Sequence, residues 1–186
     1  MGKEWIFKNY WNLHGNGLEN KEDSMKQTDI NRIKEEISVL EKAKGFTIGR
    51  AAAMCWMGFD VNGAEYALHI QCAFRFRTAE EVLIANLDMF YPTAAMEEAP
   101  SFHWNEFDWD VQGFNRYDEW ALQWKKDGRE AVVETIQVSD FGDLTIHFSG
   151  GLILEIIMNN AQNECWRFFE RNAEEHLVVT AQGVEE

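Results

Sequence analysis

The strongest constraint on this chain is an alternation. From Gly63 to Arg77 it reads Gly-Ala-Glu-Tyr-Ala-Leu-His-Ile-Gln-Cys-Ala-Phe-Arg-Phe-Arg. At a period of two, Tyr66, Leu68, Ile70, Cys72, Phe74 and Phe76 share one side, and Glu65, Ala67, His69, Gln71, Ala73, Arg75 and Arg77 the other. Such a long, half-apolar stretch predicts a central antiparallel strand with one face on a core.

Asn62-Gly63, immediately before it, is the turn pair best suited to positive φ and predicts a tight hairpin with a preceding strand over 46–60. That turn sets a register of Val61 with Ala64, Phe59 with Tyr66, Met57 with Leu68, Cys55 with Ile70, Trp56 with His69 and Met54 with Gln71. Cys55 and Cys72 then share the core face but lie diagonal to each other, so they read as buried apolar fillers.

Ile30, Ile33, Ile37 and Leu40 recur at helical spacing, with Thr28 or Asp29 as cap, Lys42 and Lys44 at the negative end and Gly45 as stop. This amphipathic helix is expected to pack on the sheet; two heptads are too few for a coiled coil. Downstream, a strand is expected over 82–91, with Leu83, Ala85, Leu87, Met89 and Tyr91 on one face. Residues 101–111 suggest an edge strand or ordered loop, and 118–126 a short helix before Asp127-Gly128. Strands over 131–138, 144–148 and 152–157 follow. The loop between the last two is expected to hold three residues, Ser149 to Gly151, because that length puts Thr145 beside Glu155 and keeps the glutamate off the core face. Strands over 164–170 and 176–180 precede a polar tail. The fold class is α+β, mainly an antiparallel sandwich or partly rolled barrel of about seven to eight strands. Residues 1–27 form an aromatic, then polar, N-terminal extension suited to docking, partner binding or oligomerisation, and 28–186 form one domain.

Charge narrows the partners. Against 17 Lys and Arg stand 32 Asp and Glu, a formal net charge of -15. Such a chain repels nucleic acid and anionic membranes and attracts a basic protein. No apolar run approaches the ~20 residues that cross a bilayer. The three cysteines form no Cys-x-x-Cys pair and the start of the sequence lacks a signal pattern, which together read as a reduced, cytoplasmic protein.

Catalytic signatures are absent. Gly15-x-Gly17 lacks the strand and third glycine of a dinucleotide loop, no Gly-x-Ser-x-Gly occurs, and the five histidines have no metal-ligand spacing, so neither a cofactor nor a metal is implied. Asp108 and Asp110 share one side of an extended segment, a spacing open to acid/base work or Ca²⁺ but more simply a solvated edge. The polar face of the 63–77 strand, with Trp56, His69, Gln71 and Arg75, and with Asn86 and Asp88 from the next strand, is the place for a small-molecule or enzymatic site. Arg75 and Arg77 there could take an anion or pair with Asp108 or Asp110. The candidate binding set is therefore Trp56, His69, Gln71, Arg75, Asp88, Asp108, Asp110, Gln112, Asn115 and Arg116.

Ile48-Gly-Arg-Ala-Ala52, Glu65-Tyr-Ala-Leu-His-Ile-Gln-Cys72 with Arg75, Trp109-Asp-Val-Gln-Gly113, Phe148-Ser-Gly-Gly-Leu152 and Trp166-Arg-Phe-Phe169 together resemble an uncharacterised family of small bacterial proteins, over about residues 46 to 180. The resemblance implies no particular activity. The late strands are similar to those of immunity proteins that neutralise contact-dependent toxins, which implies a binding role. The expectation is a non-enzymatic binding protein whose acidic surface engages a basic partner, such as a toxin domain. The alternative is a small-molecule or enzymatic site on the 63–77 face.

Overall fold

In a computed structural model, residues 25–128 and 130–185 are described; the expected N-terminal extension lies outside them except for residues 25–27. Met25 is already part of the core, and its backbone N–H donates to the Asp140 carbonyl at 3.0 Å, so the packed body begins before residue 28.

Helix α1 spans Gln27–Ile37, followed by a tighter turn over Ser38–Leu40. The stripe Ile30, Ile33, Ile37 and Leu40 is buried as its spacing predicts. Its ends differ from expectation. No side chain caps the start, and the helix stops well before Gly45, with Lys42 and Gly45 both at positive φ in the link that follows.

The chain is α+β, with two antiparallel sheets rather than a closed barrel. One sheet runs β1 (Thr47–Ala51), β2 (Met54–Val61), β3 (Ala64–Ile70), β9 (Glu164–Glu170), β10 (Leu177–Thr180) and β11 (Gly183–Glu185). The other runs β5 (Val82–Ala85), β4 (Ala73–Arg77), β8 (Ile153–Ile157), β7 (Leu144–Phe148) and β6 (Val133–Val138). Among the described residues, eleven strands replace the seven or eight expected, for local reasons. The strand expected over 46–60 is a hairpin, because Ala52 adopts φ 49° and turns β1 back onto β2 without glycine or asparagine to announce it. The expected polar tail adds β11.

The 63–77 stretch keeps its alternation but not its single sheet. β3 pairs with β2 in the register set by the Asn62-Gly63 turn, Cys55 opposite Ile70 and Trp56 opposite His69. At Gln71-Cys72 both backbone N–H groups donate to one acceptor, the Cys165 carbonyl, at 2.8 and 3.1 Å. Beyond that point β4 pairs with β8 and β5 in the second sheet. Ile70, Cys72, Phe74 and Phe76 stay buried across the passage, so one alternating segment feeds the core from both layers.

The Ser149–Gly151 loop has the three residues that burial requires: Ile146 faces Leu154, Thr145 faces Glu155, and the Phe148 N–H donates to Leu152 at 2.8 Å. The strand expected over 82–91 ends at Ala85 and gives way to a 3-10 turn over Asn86–Phe90. Of the expected face only Met89 is buried, joined by Ile84 from the other side, while Leu87 and Tyr91 are exposed.

Helix α2 (Ala94–Glu97) is one turn; helix α3 (Arg116–Asp127) ends at Gly128 with φ 58°. Helix α3 packs against β1 and β5, the edge strands on one side of the two sheets, and α1 against β11 and β6, the edges on the other. Each helix thus closes one open side of the paired sheets, and one continuous core lies between. Ile33, wholly buried on α1, is expected to cost about 2–5 kcal/mol when truncated to alanine, because the closing helix cannot collapse into the void; urea unfolding of Ile33→Ala measures it.

Candidate functional site

The expected candidate residues fall in three places. Asp108, Asp110, Gln112 and Asn115, with Asp88, belong to the connection between β5 and α3, and Arg116 opens α3. Trp56 and His69 lie on the outer face of the six-stranded sheet, with Gln71 at its end. Arg75 lies on the other sheet.

The connection is anchored by Arg50 on β1, whose side chain is fully buried. Its Nε and Nη2 donate to the two carboxylate oxygens of Asp118 at 2.7 and 2.8 Å. Nη1 donates to the Ala52 carbonyl and to Asp110 Oδ1, both at 3.2 Å, and Nη2 also donates to the Trp109 and Asp110 carbonyls at 3.1 and 3.2 Å. Hydrogen bonding to Asp118 holds the guanidinium even more firmly protonated than usual, against the cost of burial.

Asp118 sits in the first turn of α3, where a carboxylate also meets the positive end of the helix dipole. Its Oδ2 accepts from the Gly113 N–H at 2.8 Å and from Asn115 Nδ2 at 3.1 Å, while Asn115 Oδ1 caps the helix by accepting the Asp118 N–H at 2.8 Å. Asn115 Nδ2 also donates to the Trp109 carbonyl at 3.0 Å. Two stretches noted for their resemblance, around Ile48–Ala52 and Trp109–Gly113, therefore meet at one ion pair. Arg116 is likewise structural: it donates to the Pro92 carbonyl at 3.1 Å and to Glu97 at 2.8 Å, with its guanidinium 5.5 Å from the Tyr91 ring.

This anchorage displays an unusual surface. Between Asn86 and Asn115 the sequence carries six carboxylates, no lysine or arginine, and seven aromatic rings. Leu87, Phe90, Tyr91, Trp104, Val111 and Phe114 are exposed, Leu87 by 62% and Trp104 by 54%. The rings touch one another: Phe90 with Trp109 at 4.8 Å, Phe102 with Trp104 at 5.4 Å, Trp104 with Phe107 at 6.1 Å. Glu98, Glu106, Asp108 and Gln112 lie exposed among them. Asp108 and Asp110 are not a free carboxylate pair, since Asp108 accepts the Asp110 N–H at 3.0 Å and Asp110 turns to Arg50. Asp88 accepts the Ala85 N–H at 2.8 Å at the end of β5.

Arg75 and Arg77 do form internal ion pairs, but with Glu155 of β8, at 2.5 and 2.6 Å, rather than with Asp108 or Asp110. The Arg77 hydrogen bond first, and Arg75 with it, holds the Glu155 carboxyl below its usual range. The sheet crossing at Gln71-Cys72 is the reason: it carries Arg75 onto the face that β8 supplies, away from His69.

On the six-stranded sheet, Trp56, His69 and Arg167 stand side by side on β2, β3 and β9. Burial first, then the charge of Arg167, pushes the His69 pKa down. Arg167 is paired with Glu164, which stays below its usual pKa although burial alone would raise it. An open groove of about 600 Å³ runs over this face, lined by Met54, Trp56, Gly58, Ala67, His69 and Phe169, with Asp60, Glu65 and Arg171 at its rim. Gln71 and Arg75 do not line it.

The cysteines are placed for packing. Cys55 is buried with the Tyr117 hydroxyl 3.0 Å from its sulfur, and burial pushes its thiol up to about 12. Burial, with Cys165 beside it, raises the Cys72 thiol further. Among the described residues, no three His, Cys, Asp or Glu side chains converge in a way that could hold a metal ion, and no helix is long and apolar enough to cross a membrane.

Comparison with known protein families, with curated proteins and with solved structures finds no match to this chain.

Asp118→Ala strands the buried Arg50 charge and is expected to cost about 3–5 kcal/mol, with faster proteolysis within 86–114 than elsewhere. Because the His69 pKa is depressed in the fold, its contribution to stability is present above the unfolded value near 6.5 and is lost as pH falls through the folded value. His69→Gln should therefore flatten the decline in unfolding free energy below about pH 6.5.

Proposed function

We propose that the protein is a non-enzymatic binding protein that engages a basic protein partner through the surface of the 86–115 connection. The observation that carries this reading is the coincidence there of exposed aromatic side chains with carboxylates, while the cations beside them, Arg50 and Arg116, are already paired with Asp118, Asp110 and Glu97. Exposed apolar area of this kind marks an interaction site. Aromatic residues supply most of the energy at protein interfaces, and carboxylates around them steer and select a basic partner. The anchoring by Arg50 and Asp118 means that the surface is ordered before binding, which lowers the entropic cost of association. Cys55 and Cys72, buried and with raised thiol pKa values, supply no nucleophile.

The net charge of -15 and the resemblance of the late strands to immunity proteins support a narrower form, in which the partner is a basic toxin domain neutralised by occlusion. Such a protein works by affinity alone and needs no cofactor.

Capture from source cells with the full chain, in parallel with Trp104→Ala and with a Glu98→Lys, Glu106→Lys, Asp108→Lys triple variant, tests the reading. A basic protein should be retained by the wild type, and its affinity should fall at least about tenfold in either variant and weaken with added salt. Equal retention by wild type and variants overturns the surface assignment. For the narrower form, expression of the recovered partner should arrest growth and co-expression of this chain should relieve the arrest; a harmless partner removes it.

A further inference from the structure

The groove on the outer face of the six-stranded sheet is distinct from the partner-binding surface, and its shape has a cause in the sequence. Small residues recur on three adjacent strands there: Gly58 on β2 lies directly beside Ala67 on β3, and Gly49 on β1 lies beside Trp56 in the neighbouring row. Glycine inside a strand is unfavourable, so its presence calls for a reason of packing or close approach. A Cβ on Gly49 would lie 2.4 Å from the Trp56 indole, and one on Gly58 would lie 2.7 Å from Thr47 Oγ1. Gly49 therefore lets the indole lie down over β1, and Gly58 makes room for the Thr47 side chain, so that the floor lined by Gly58 and Ala67 stays low. Phe169 stands at the other end, with the His69 ring edge-on to it at 5.0 Å.

The rim decides which ligand fits. Asp60 and Glu65 disfavour an anion. A cation finds little more, because Glu65 is already paired with Arg171 at 2.9 Å and Arg167 stands directly across from His69. A purely apolar ligand would bury this rim unsatisfied. An extended peptide lying on this face finds no free ladder groups, because β2 and β3 beneath it are already paired on both sides. The remaining class is neutral, flat on one face and rich in groups that both donate and accept. The Glu65–Arg171 pair offers acceptors and donors together, and a neutral imidazole at His69 offers one of each. The electron-rich face of an indole suits the weakly positive C–H face of a sugar ring. The volume of about 600 Å³ is that of a small-ligand site, and its open form admits a chain of two or three sugar units.

We propose that this groove binds a neutral saccharide, with one sugar ring stacked beside Trp56 over the Gly58 and Ala67 floor and its hydroxyls bonded to Asp60, the Glu65–Arg171 pair and His69. No bond is made or broken; the site holds its ligand by stacking and hydrogen bonds.

The full-length protein is titrated with neutral trisaccharides of β-1,4-linked glucose, α-1,4-linked glucose and β-1,4-linked N-acetylglucosamine, followed by tryptophan fluorescence and amide chemical shifts. At least one should give saturable shifts at Gly58, Ala67 and His69. Trp56→Ala should weaken that binding about tenfold or more and Trp56→Phe less, while Trp104→Ala leaves it unchanged. Asp60→Asn, which keeps an oxygen to accept the Gly63 N–H of the turn at 3.2 Å, should weaken it without altering the unfolding midpoint. Overturning results are the absence of shifts with all three sugars, binding indifferent to both Trp56→Ala and Asp60→Asn, or displacement of the sugar signal by a lysine-rich hexapeptide that occupies the groove itself. Loss of the basic partner in Trp104→Ala with sugar binding intact separates the two surfaces.

Discussion

The organisation of this molecule depends on a single buried charge. Arg50 has no exposed side-chain surface, and all of its hydrogen-bonding nitrogens are occupied by groups from three segments: the β1–β2 turn, the Trp109-Asp110 stretch and the first turn of α3. Net stabilisation from such a pair is modest, because desolvating two charges offsets most of their attraction. What the pair contributes is direction. An apolar contact would tolerate many arrangements of an irregular connection, whereas a planar guanidinium facing a carboxylate accepts one. The 86–115 connection has little regular structure of its own, so its aromatic display rests on that geometry.

Much of the fold was legible because it depends on burial at period two. The β2–β3 register, the β7–β8 register with its three-residue loop, the apolar stripe of α1 and the bounds of β9 all follow from which side chains must face inward. The failures share a different cause. The Ala52 turn has no turn-forming residue at its positive φ; its carbonyl is held instead by Arg50, from the strand that it ends. The alternation from Tyr66 to Phe76 cannot reveal that the sheet changes at Gln71-Cys72, because inward-facing residues look alike whichever layer they enter. Residues 86–90 alternate well enough to suggest a strand, but tertiary packing at Met89 takes them into a 3-10 turn.

The same sheet change explains what could be read of the sites. Trp56 and His69 were legible as neighbours because a hairpin register joins them. Arg75 was grouped with them by period alone, and the crossing separates it. The aromatic and acidic composition of 86–115 was visible, yet the anchor that makes it a surface joins residues 68 apart in sequence, and nothing local in Arg50 or Asp118 marks them as partners. Gly49 and Gly58 carried a signal that strand patterning passes over: a side chain missing from a strand is also information about what lies beside it.

The two helices that close the open sides of the paired sheets also determine how this protein can meet others. An uncovered strand edge is a generic template: any extended chain can dock on its free N–H and C=O groups, which makes edges routes both to recruitment and to aggregation. Here α3 packs on β1 and β5, and α1 on β11 and β6, and the Gly49 carbonyl on the β1 edge accepts the Tyr117 hydroxyl of α3 at 3.1 Å. Contact with these helices shifts the surface offered for recognition from backbone, which does not discriminate, towards side chains, which do. With 32 acidic against 17 basic residues, the charged side chains left for recognition are mostly carboxylates.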